Sequence, residues 1–520
     1  MTRTTSRLPL AAVFLAFVGC AADDPIEVTA TAISVGDDGV QPNVVVIMVD
    51  DLDTRLMQTM LDLDLAPNIE RYLIRQGTTF ANSFVSNALC CPSRATLLTG
   101  QYSHNNGVFG AGPLEEHGGV DALRDTSTLA TWLQAAGYRT GHVGKYLNGY
   151  GSRMDDTTPA FQGDYVPPGW DHWQALVGIG TYRMFGFNIN DTRDGVQQMV
   201  WYGDETVENY QTTVLTRRAI SFIEDAHDRG GPFYLQVMTL APHAEVDSEE
   251  NDRFDFFIRH DPQDEIDKPD AMALIRSLEP PSLNDPSWDF VTPESPRYFP
   301  RENLTETDVA NLIRFYRERM ASMLAVDDMV GEVVRTLTER GILENTVIVF
   351  TSDNGWMWGQ HRLVGKKVPY EESIRVPLYV RVPSPPQKTI RGMVVNADLA
   401  PTIAELAGAP PDLWVDGRSL VQFLSNDVPS TPWRRRLLIE HWGEGTHIPT
   451  YAALRTTRYV YVDYFELAAW RRELYDLALD PFQTSNLYGS PDYAQVTRIM
   501  RRKLAAMRGC ALGTCQELEE

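Results

Sequence analysis

Asn43-Val44-Val45-Val46-Ile47-Met48-Val49 runs straight into Asp50-Asp51. A continuous β-branched run without alternation reads as a strand buried on both faces, and this one delivers two carboxylates at its carboxyl end. The pattern recurs downstream. Tyr138–Val143 leads to Gly144-Lys145, Pro232–Leu240 to Ala241-Pro242-His243, and Thr346–Phe350 to Thr351-Ser352-Asp353-Asn354-Gly355, while Val376–Val382 adds one more strand. Between them lie a helical segment at Thr128–Ala136, stopped by Gly137, and two helical patterns in Thr305–Arg340, the second closed by Gly341. Strands alternating with helices predict an α/β fold, a large mostly parallel sheet sandwiched by helices. In such sheets ligands bind beyond the carboxyl ends of the strands. Four strands ending in Asp50-Asp51, Lys145, His243 and Asp353-Asn354 therefore predict one site on one edge.

After about residue 415 the texture changes. Leu437–Glu440, Tyr451–Arg455, Arg458–Asp463 and Arg472–Tyr475 read as short strands, and Tyr493–Met507 as a terminal helix. A smaller α+β domain over 415–508 is expected to follow a catalytic domain over 42–414, with 509–520 as a tail.

Hydrophobic residues make up 43% and charged residues 22% of the chain, the balance of a soluble globular protein with a large core. The net charge is −24, with 70 acidic against 46 basic residues. This excludes a nucleic-acid partner, which needs a basic footprint, and obliges any anionic substrate to find a local positive site. Part of the acidity, Asp247 to Asp270, reads as a solvated surface loop. Arg3 and Arg7 precede an apolar run from Leu8 to Val18 that is too short to span a bilayer. With small residues after it, this is a secretory signal over 1–20, followed by a flexible tether over 21–41. Phe17-Val18-Gly19-Cys20 resembles a bacterial lipobox, in which Cys20 is lipidated, although Phe17 stands where Leu is more usual. The expected location is the periplasm or cell surface as a lipoprotein, with plain secretion as the alternative and membrane contact only through Cys20. Of the other cysteines, Cys510 and Cys515 are placed to form a disulfide. Cys90 and Cys91 are adjacent, a strained spacing for a bridge, and need another explanation.

That explanation lies in Cys90-Cys91-Pro92-Ser93-Arg94-Ala95-Thr96-Leu97-Leu98-Thr99-Gly100. Pro92 suits the first turn of a helix and Gly100 its end. Cys90 then sits at a helix N-terminus, where the dipole and free N–H groups favour negative charge, with Arg94 as a fixed cation one turn on. The whole string resembles the signature of formylglycine-dependent sulfatases of the alkaline phosphatase-like superfamily, Cys-x-Pro-Ser-Arg with a Leu-Thr-Gly ending. The resemblance covers about residues 42 to 505. It implies that a formylglycine-generating enzyme converts Cys90 to 3-oxoalanine (formylglycine). It also implies that Asp50, Asp51, Asp353 and Asn354, with the formylglycine oxygen at Cys90, hold Ca²⁺, with Mg²⁺ as the alternative. Lys145 and Lys366 match the sulfate-binding lysines, Lys367 being the alternative if the alignment slips by one, and His243 matches the proton-donating histidine.

One departure stands out. Many sulfatases carry a histidine two residues after the first lysine, and here that place is Leu147, with Asn148 beside it as a replacement. The Lys-Tyr-Leu-Asn pattern, together with Cys-Cys-Pro-Ser-Arg, looks like the branch of N-acetylglucosamine-6-sulfatases and heparan endosulfatases. His104 and His361 lie in family-like surroundings and are expected at the pocket. The resemblance implies a hydrated aldehyde that attacks sulfur while Lys145 and Lys366 hold the sulfate and His243 protonates the leaving alcohol. The implied substrate is a sulfated carbohydrate or another sulfate ester. A formylglycine-dependent phosphonate monoester or phosphodiester hydrolase is one alternative. A non-catalytic lipoprotein that binds sulfated glycans is a second.

Overall fold

The computed structural model describes residues 41–112, 118–151, 163–246, 255–292, 295, 298–383, 387–425, 433–443, 448–465 and 472–520. The expected signal, Cys20 and the tether up to residue 40 lie outside the described residues, as does 247–254 of the acidic stretch. Within 255–270, Glu265, Asp267 and Asp270 are exposed as expected, but two aspartates are not. Asp261 is 7% and Asp264 3% exposed, because Thr213 donates to one and Lys268 pairs with the other.

The strands are β1 (Asn43–Val49), β2 (Thr78–Phe84), β3 (Arg139–Gly144), β4 (His172–Val177), β5 (Phe187–Arg193), β6 (Val196–Tyr202), β7 (Phe233–Met238), β8 (Thr346–Ser352), β9 (Met357–Trp358), β10 (Val364–Gly365), β11 (Leu378–Arg381), β12 (Lys388–Val395), β13 (Arg436–His441), β14 (Tyr451–Thr456), β15 (Tyr459–Tyr464) and β16 (Arg472–Asp476). Ten of them form one sheet in the order β12-β2-β11-β8-β1-β7-β3-β4-β5-β6. The central strands β8, β1, β7, β3 and β4 are parallel, and β11 and β5 run against them. Helices cover both faces. Every residue of β1 is buried, with Val45, Ile47 and Val49 in one core and Val44, Val46 and Met48 in the other. Each fully buried Val or Ile contributes about 1.5–3 kcal/mol, so the central strand is held on both sides. The register sets Met48 against Met238 and Val49 against Ser352. The chain segments that follow β1, β7 and β8 therefore leave the sheet side by side.

Two differences from the sequence reading have physical causes. Residues Glu306–Glu339 form one helix, not two, capped at Thr305 by a box with Asp308. Its one interior glycine, Gly331, does not break it; a Cβ there would lie 2.8 Å from Asn68 Cγ, so the glycine admits a neighbour. Strands β2, β4, β5, β6 and β12 carry polar or mixed patterns that gave no buried-strand signal. β6 exposes Val196, Met199 and Trp201 at the sheet's outer edge.

Strands β13 to β16 form a separate antiparallel sheet. The helix Ala494–Met507 packs on it through Met500, Leu504 and Met507, against Leu438, Leu454 and Tyr461. Cys510 and Cys515 are bonded to each other, and Cys90 and Cys91 are free. The chain end is built into the body. Glu519 is fully buried and accepts from Arg434 at 2.7 Å and from the hydroxyl of Tyr102, just beyond the Cys90 helix.

Burial also fixes a pH response. His142, 1% exposed and stacked on Trp173 at 4.5 Å, is pushed down to about 3 by burial. Its unfolded value lies near 6.5, so protons prefer the unfolded chain, and stability held above pH 6.5 is lost as pH falls towards 3. Urea unfolding between pH 6 and pH 4 should show this as about 1.4 kcal/mol per pH unit. His142→Gln should lower the slope by about that amount, since His361 and His441, also held low by burial, keep their own shares; an unchanged slope would remove His142 as a source.

Candidate active site

The site begins with the helix Cys90–Thr99, all of whose residues are buried. Pro92 lies in its first turn, where no intrahelical N–H bond is forfeited. Gly100 ends it with φ 68°, a left-handed conformation that glycine adopts without strain. Cys90 thus occupies the first helical position, 2% exposed, with the unpaired N–H groups of the helix start around it.

Around it the strand ends deliver their charges. Asp50 follows β1 and pairs with Lys145 Nζ; its Oδ1 lies 3.3 Å from Cys90 Sγ and its Oδ2 3.8 Å from Arg94. Lys145 stands there because Gly144 lets β3 pass β7: at φ 110°, a Cβ would fall 2.0 Å from the Met238 carbonyl oxygen. Arg94 donates to Asp353 at 2.8 Å and to the Lys145 carbonyl at 3.0 Å. Asp353 accepts the Asp51 N–H at 3.0 Å, and Asn354 Nδ2 donates to Asp51 Oδ1 at 2.7 Å. Lys366 Nζ reaches Asp51 and lies 2.7 Å from Cys90 Sγ. His243 Nδ1 donates to the Ala244 carbonyl at 2.6 Å, which turns Nε2 inward, 3.6 Å from Asp51 Oδ2. Asp51 itself has φ 69°, a conformation that costs about 1–3 kcal/mol outside glycine and that Asp353 and Arg319 hold from either side of the residue.

The structure therefore brings all nine proposed residues together: Asp50, Asp51, Cys90, Arg94, Lys145, His243, Asp353, Asn354 and Lys366. Lys366 takes the place for which Lys367 was the alternative; Lys367 has φ 75° and hydrogen-bonds by its backbone to Ala88. His104 and His361 are held elsewhere. His104 bonds Glu440 and the Cys510 carbonyl, and His361 packs on Tyr370 and Phe299. Asn148 does not reach Cys90. It donates to the Tyr182 hydroxyl at 2.7 Å, and Leu147 is buried in the core.

Sequence reasoning missed two residues. The Tyr182 ring covers Lys145 Nζ at 4.7 Å and lies 5.4 Å from the His243 ring. Arg319, fully buried, donates to the Asp51 carbonyl and is wedged over the rings of Trp356 and Trp358 at 4.8 and 5.0 Å. Neither lies in a motif, so no local pattern announces it.

Three buried carboxylates face three cations, and the environment divides their chemistry. Burial opposes ionisation of Asp50, but Lys145, His243, Arg94 and Lys366 outweigh it and hold the carboxyl well below the usual range. Burial, with Asp50 beside it, lifts Asp353 to about 7. Burial and then Asp50 push the Cys90 thiol up to about 12, so the sulfur is protonated at neutral pH. Burial lowers His243, against the pull of Asp51 and Asp50. Among the described residues, Asp51 Oδ2 and Asn354 Oδ1 are buried without a hydrogen-bond partner. Hard oxygen donors so converged suit a Ca²⁺-class ion better than a soft metal. His104, Cys510 and Cys515 also lie close together, but both of those sulfurs are spent on the disulfide.

Comparison with known proteins identifies the family. The Sulfatase family model matches residues 42–409, and that for the C-terminal region of N-sulphoglucosamine sulphohydrolase matches 359–509. The extracellular sulfatase SULF-1 homologue of Drosophila melanogaster is 32% identical over 413 residues, covering 78% of this chain. The chain spans only 33% of that protein's own length. The N-acetylglucosamine-6-sulfatase of Capra hircus is 29% identical over 519 residues, covering 92% of this chain and 85% of that one. A protein solved with its substrate D-glucosamine-2-N,6-O-disulfate superposes with TM-score 0.70 at 24% identity, covering 90% of this chain and 97% of the other. A phosphonate monoester hydrolase of Agrobacterium radiobacter shares the fold at TM-score 0.64 and 23% identity, covering 90% and 95%. With a family match across most of its length, the chain belongs to the sulfatase family, in the branch that resembles N-acetylglucosamine-6-sulfatases and extracellular endosulfatases.

Proposed function

We propose that this chain is a sulfuric ester hydrolase that removes sulfate from a sugar, with Cys90 matured to formylglycine as the nucleophile. One observation carries the reading: Cys90 Sγ lies between Lys366 Nζ at 2.7 Å and Asp50 Oδ1 at 3.3 Å, at the start of a fully buried helix. A thiol that stays protonated is a poor nucleophile. Conversion by a formylglycine-generating enzyme removes that obstacle, because a hydrated aldehyde offers two hydroxyls. One attacks sulfur as the ester C–O–S link breaks at sulfur. The other then restores the carbonyl as sulfate leaves.

Lys145 and Lys366 would hold the sulfate oxygens and meet the charge that builds on them. His243, with Nδ1 donating to Ala244, would protonate the leaving alcohol from Nε2 once that nitrogen has taken up the proton of the attacking hydroxyl, since burial keeps the resting ring neutral. Arg94 keeps Asp353 and the Lys145 backbone in place. Asp50, Asp51, Asp353 and Asn354, with the formylglycine oxygen, would hold Ca²⁺, with Mg²⁺ as the alternative; the ion supplies positive charge that eases ionisation of the attacking hydroxyl.

The names of the relatives favour a sugar as substrate, glucosamine 6-sulfate above all. Extracellular relatives and the signal-like start favour export, with Cys20 as the candidate lipid anchor. Among the described residues no helix is long and apolar enough to cross a membrane. We also propose a catalytic domain over 42–414 and a smaller C-terminal domain over 415–508.

Three outcomes test this. Matured protein should turn over N-acetylglucosamine 6-sulfate and 4-nitrophenyl sulfate faster than a phosphonate monoester or phosphodiester; the reverse order would favour the phosphonate reading, and no turnover of any would favour glycan binding. His243→Ala should lower kcat/KM for the sugar sulfate by about 10²–10⁴-fold and that for the aryl sulfate far less, since nitrophenol leaves without a proton. Equal losses would deny His243 its role. Ca²⁺ at about a hundred times its Kd should also stabilise the protein by about 2.7 kcal/mol, a shift read as Tm and absent in Asp51→Asn. A shift retained in that variant would place the ion elsewhere.

A further inference from the structure

Among the described residues, both ring nitrogens of His441, the Tyr451 hydroxyl and Asn87 Oδ1 are buried without a hydrogen-bond partner. The three side chains are 1%, 1% and 0% exposed, as deep as Cys90 itself. An unpaired buried polar atom costs about 1–3 kcal/mol, and native interiors keep few of them. Several on neighbouring strands and loops make this a candidate binding site.

Their connections tie them to the site. Asn87 lies three residues before Cys90, and its side chain donates to Ser103 Oγ and the Phe109 carbonyl. The Phe109 ring stacks on Trp442 at 4.2 Å, and both rings are part-exposed. Trp442 follows His441 at the end of β13. The preceding residue, Glu440, donates its N–H to the Ser86 carbonyl at 2.8 Å, closing the circuit back to Asn87. On the other side Lys367, next to Lys366, bonds the Ala88 carbonyl at 3.0 Å. His441 and Tyr451 face each other across β13 and β14, rings 5.5 Å apart.

We propose that His441, Tyr451 and Asn87 form the recognition subsite for the hydroxyl and amide groups of the sugar whose sulfate is removed, with the Phe109–Trp442 stack as its apolar wall. The chemistry fits a neutral, hydrogen-bonding ligand. Burial and then Lys367 push His441 down to about 3, so the neutral ring offers one donor and one acceptor. Tyr451 adds a hydroxyl, Asn87 adds an acceptor, and a part-exposed aromatic pair suits the C–H face of a pyranose. The small antiparallel sheet thereby supplies specificity, while the large sheet supplies the chemistry. This rests on the sulfatase reading above, and the test separates the two.

The measurement uses the full, matured, calcium-loaded chain and the ratio of kcat/KM for N-acetylglucosamine 6-sulfate over 4-nitrophenyl sulfate, which lacks the sugar's hydroxyl and amide groups. His441→Phe should lower this ratio by about 100-fold, because a site built to bond a polar group discriminates strongly once the bond is gone. Tyr451→Phe should lower it less, and His441→Gln should recover part of the loss. Calorimetric binding of N-acetylglucosamine 6-sulfate should weaken in the same order, and urea midpoints report folding. An unchanged ratio, or equal loss on both substrates, would make these residues structural and overturn the proposal. If the wild type turns over neither substrate but binds the sugar sulfate, and His441→Phe weakens that binding, the hydrolase reading fails and the subsite stands. Binding unaffected by His441→Phe would overturn the subsite whatever the turnover.

Discussion

Three carboxylates buried in one small volume must be neutralised there, and most of the structure around Cys90 follows from that need. An isolated buried carboxylate costs several kcal/mol or takes up a proton. Asp50 and Asp51 stay ionised through Lys145 and Lys366, while Asp353, paired with Arg94, is still lifted to about 7. Each partner arrives on a different element: two carboxylates at the end of β1, one after β8, one lysine after β3, one from the loop beyond β10, and the arginine one turn into the Cys90 helix. A parallel arrangement of β1, β7, β3 and β8 is what brings their carboxyl ends to one edge. The same arrangement sets a cationic face towards any bound anion in a chain whose net charge is −24.

The balance is local. Asp51 is held in a left-handed conformation, and Arg319 secures its carbonyl from beneath, itself braced by Trp356 and Trp358. Tyr182 does the corresponding work for Lys145 and His243, with Asn148 fixing its hydroxyl. The place of the histidine common in the wider family is thus filled by a core leucine, and its neighbour acts through a tyrosine rather than on Cys90.

How much of this could be read beforehand depends on where each residue's information lies. The run Asn43–Val49 announced itself because a strand buried on both faces needs unbroken apolar character, and the residues following such strands were legible for the same reason. The Cys90 string was legible because helix start, nucleophile and cation are local in sequence. Lys366 against Lys367 was not, since a one-residue choice is decided by backbone geometry after Gly365. Tyr182, Arg319 and His441 were invisible because each acts across the fold. His104 looked like a pocket residue but is claimed by Glu440 and the disulfide loop. β6 gave no strand signal because it lies at the sheet edge, where little burial constrains its residues.

The central claim is that Cys90 is not a cysteine in the working protein. The most direct test is the mass of the proteolytic peptide spanning Cys90, taken from active, exported protein made in its native host or alongside a formylglycine-generating enzyme. The account predicts that Cys90 has exchanged its sulfur for a carbonyl oxygen. An intact thiol at Cys90 in protein that still cleaves sulfate esters would contradict it.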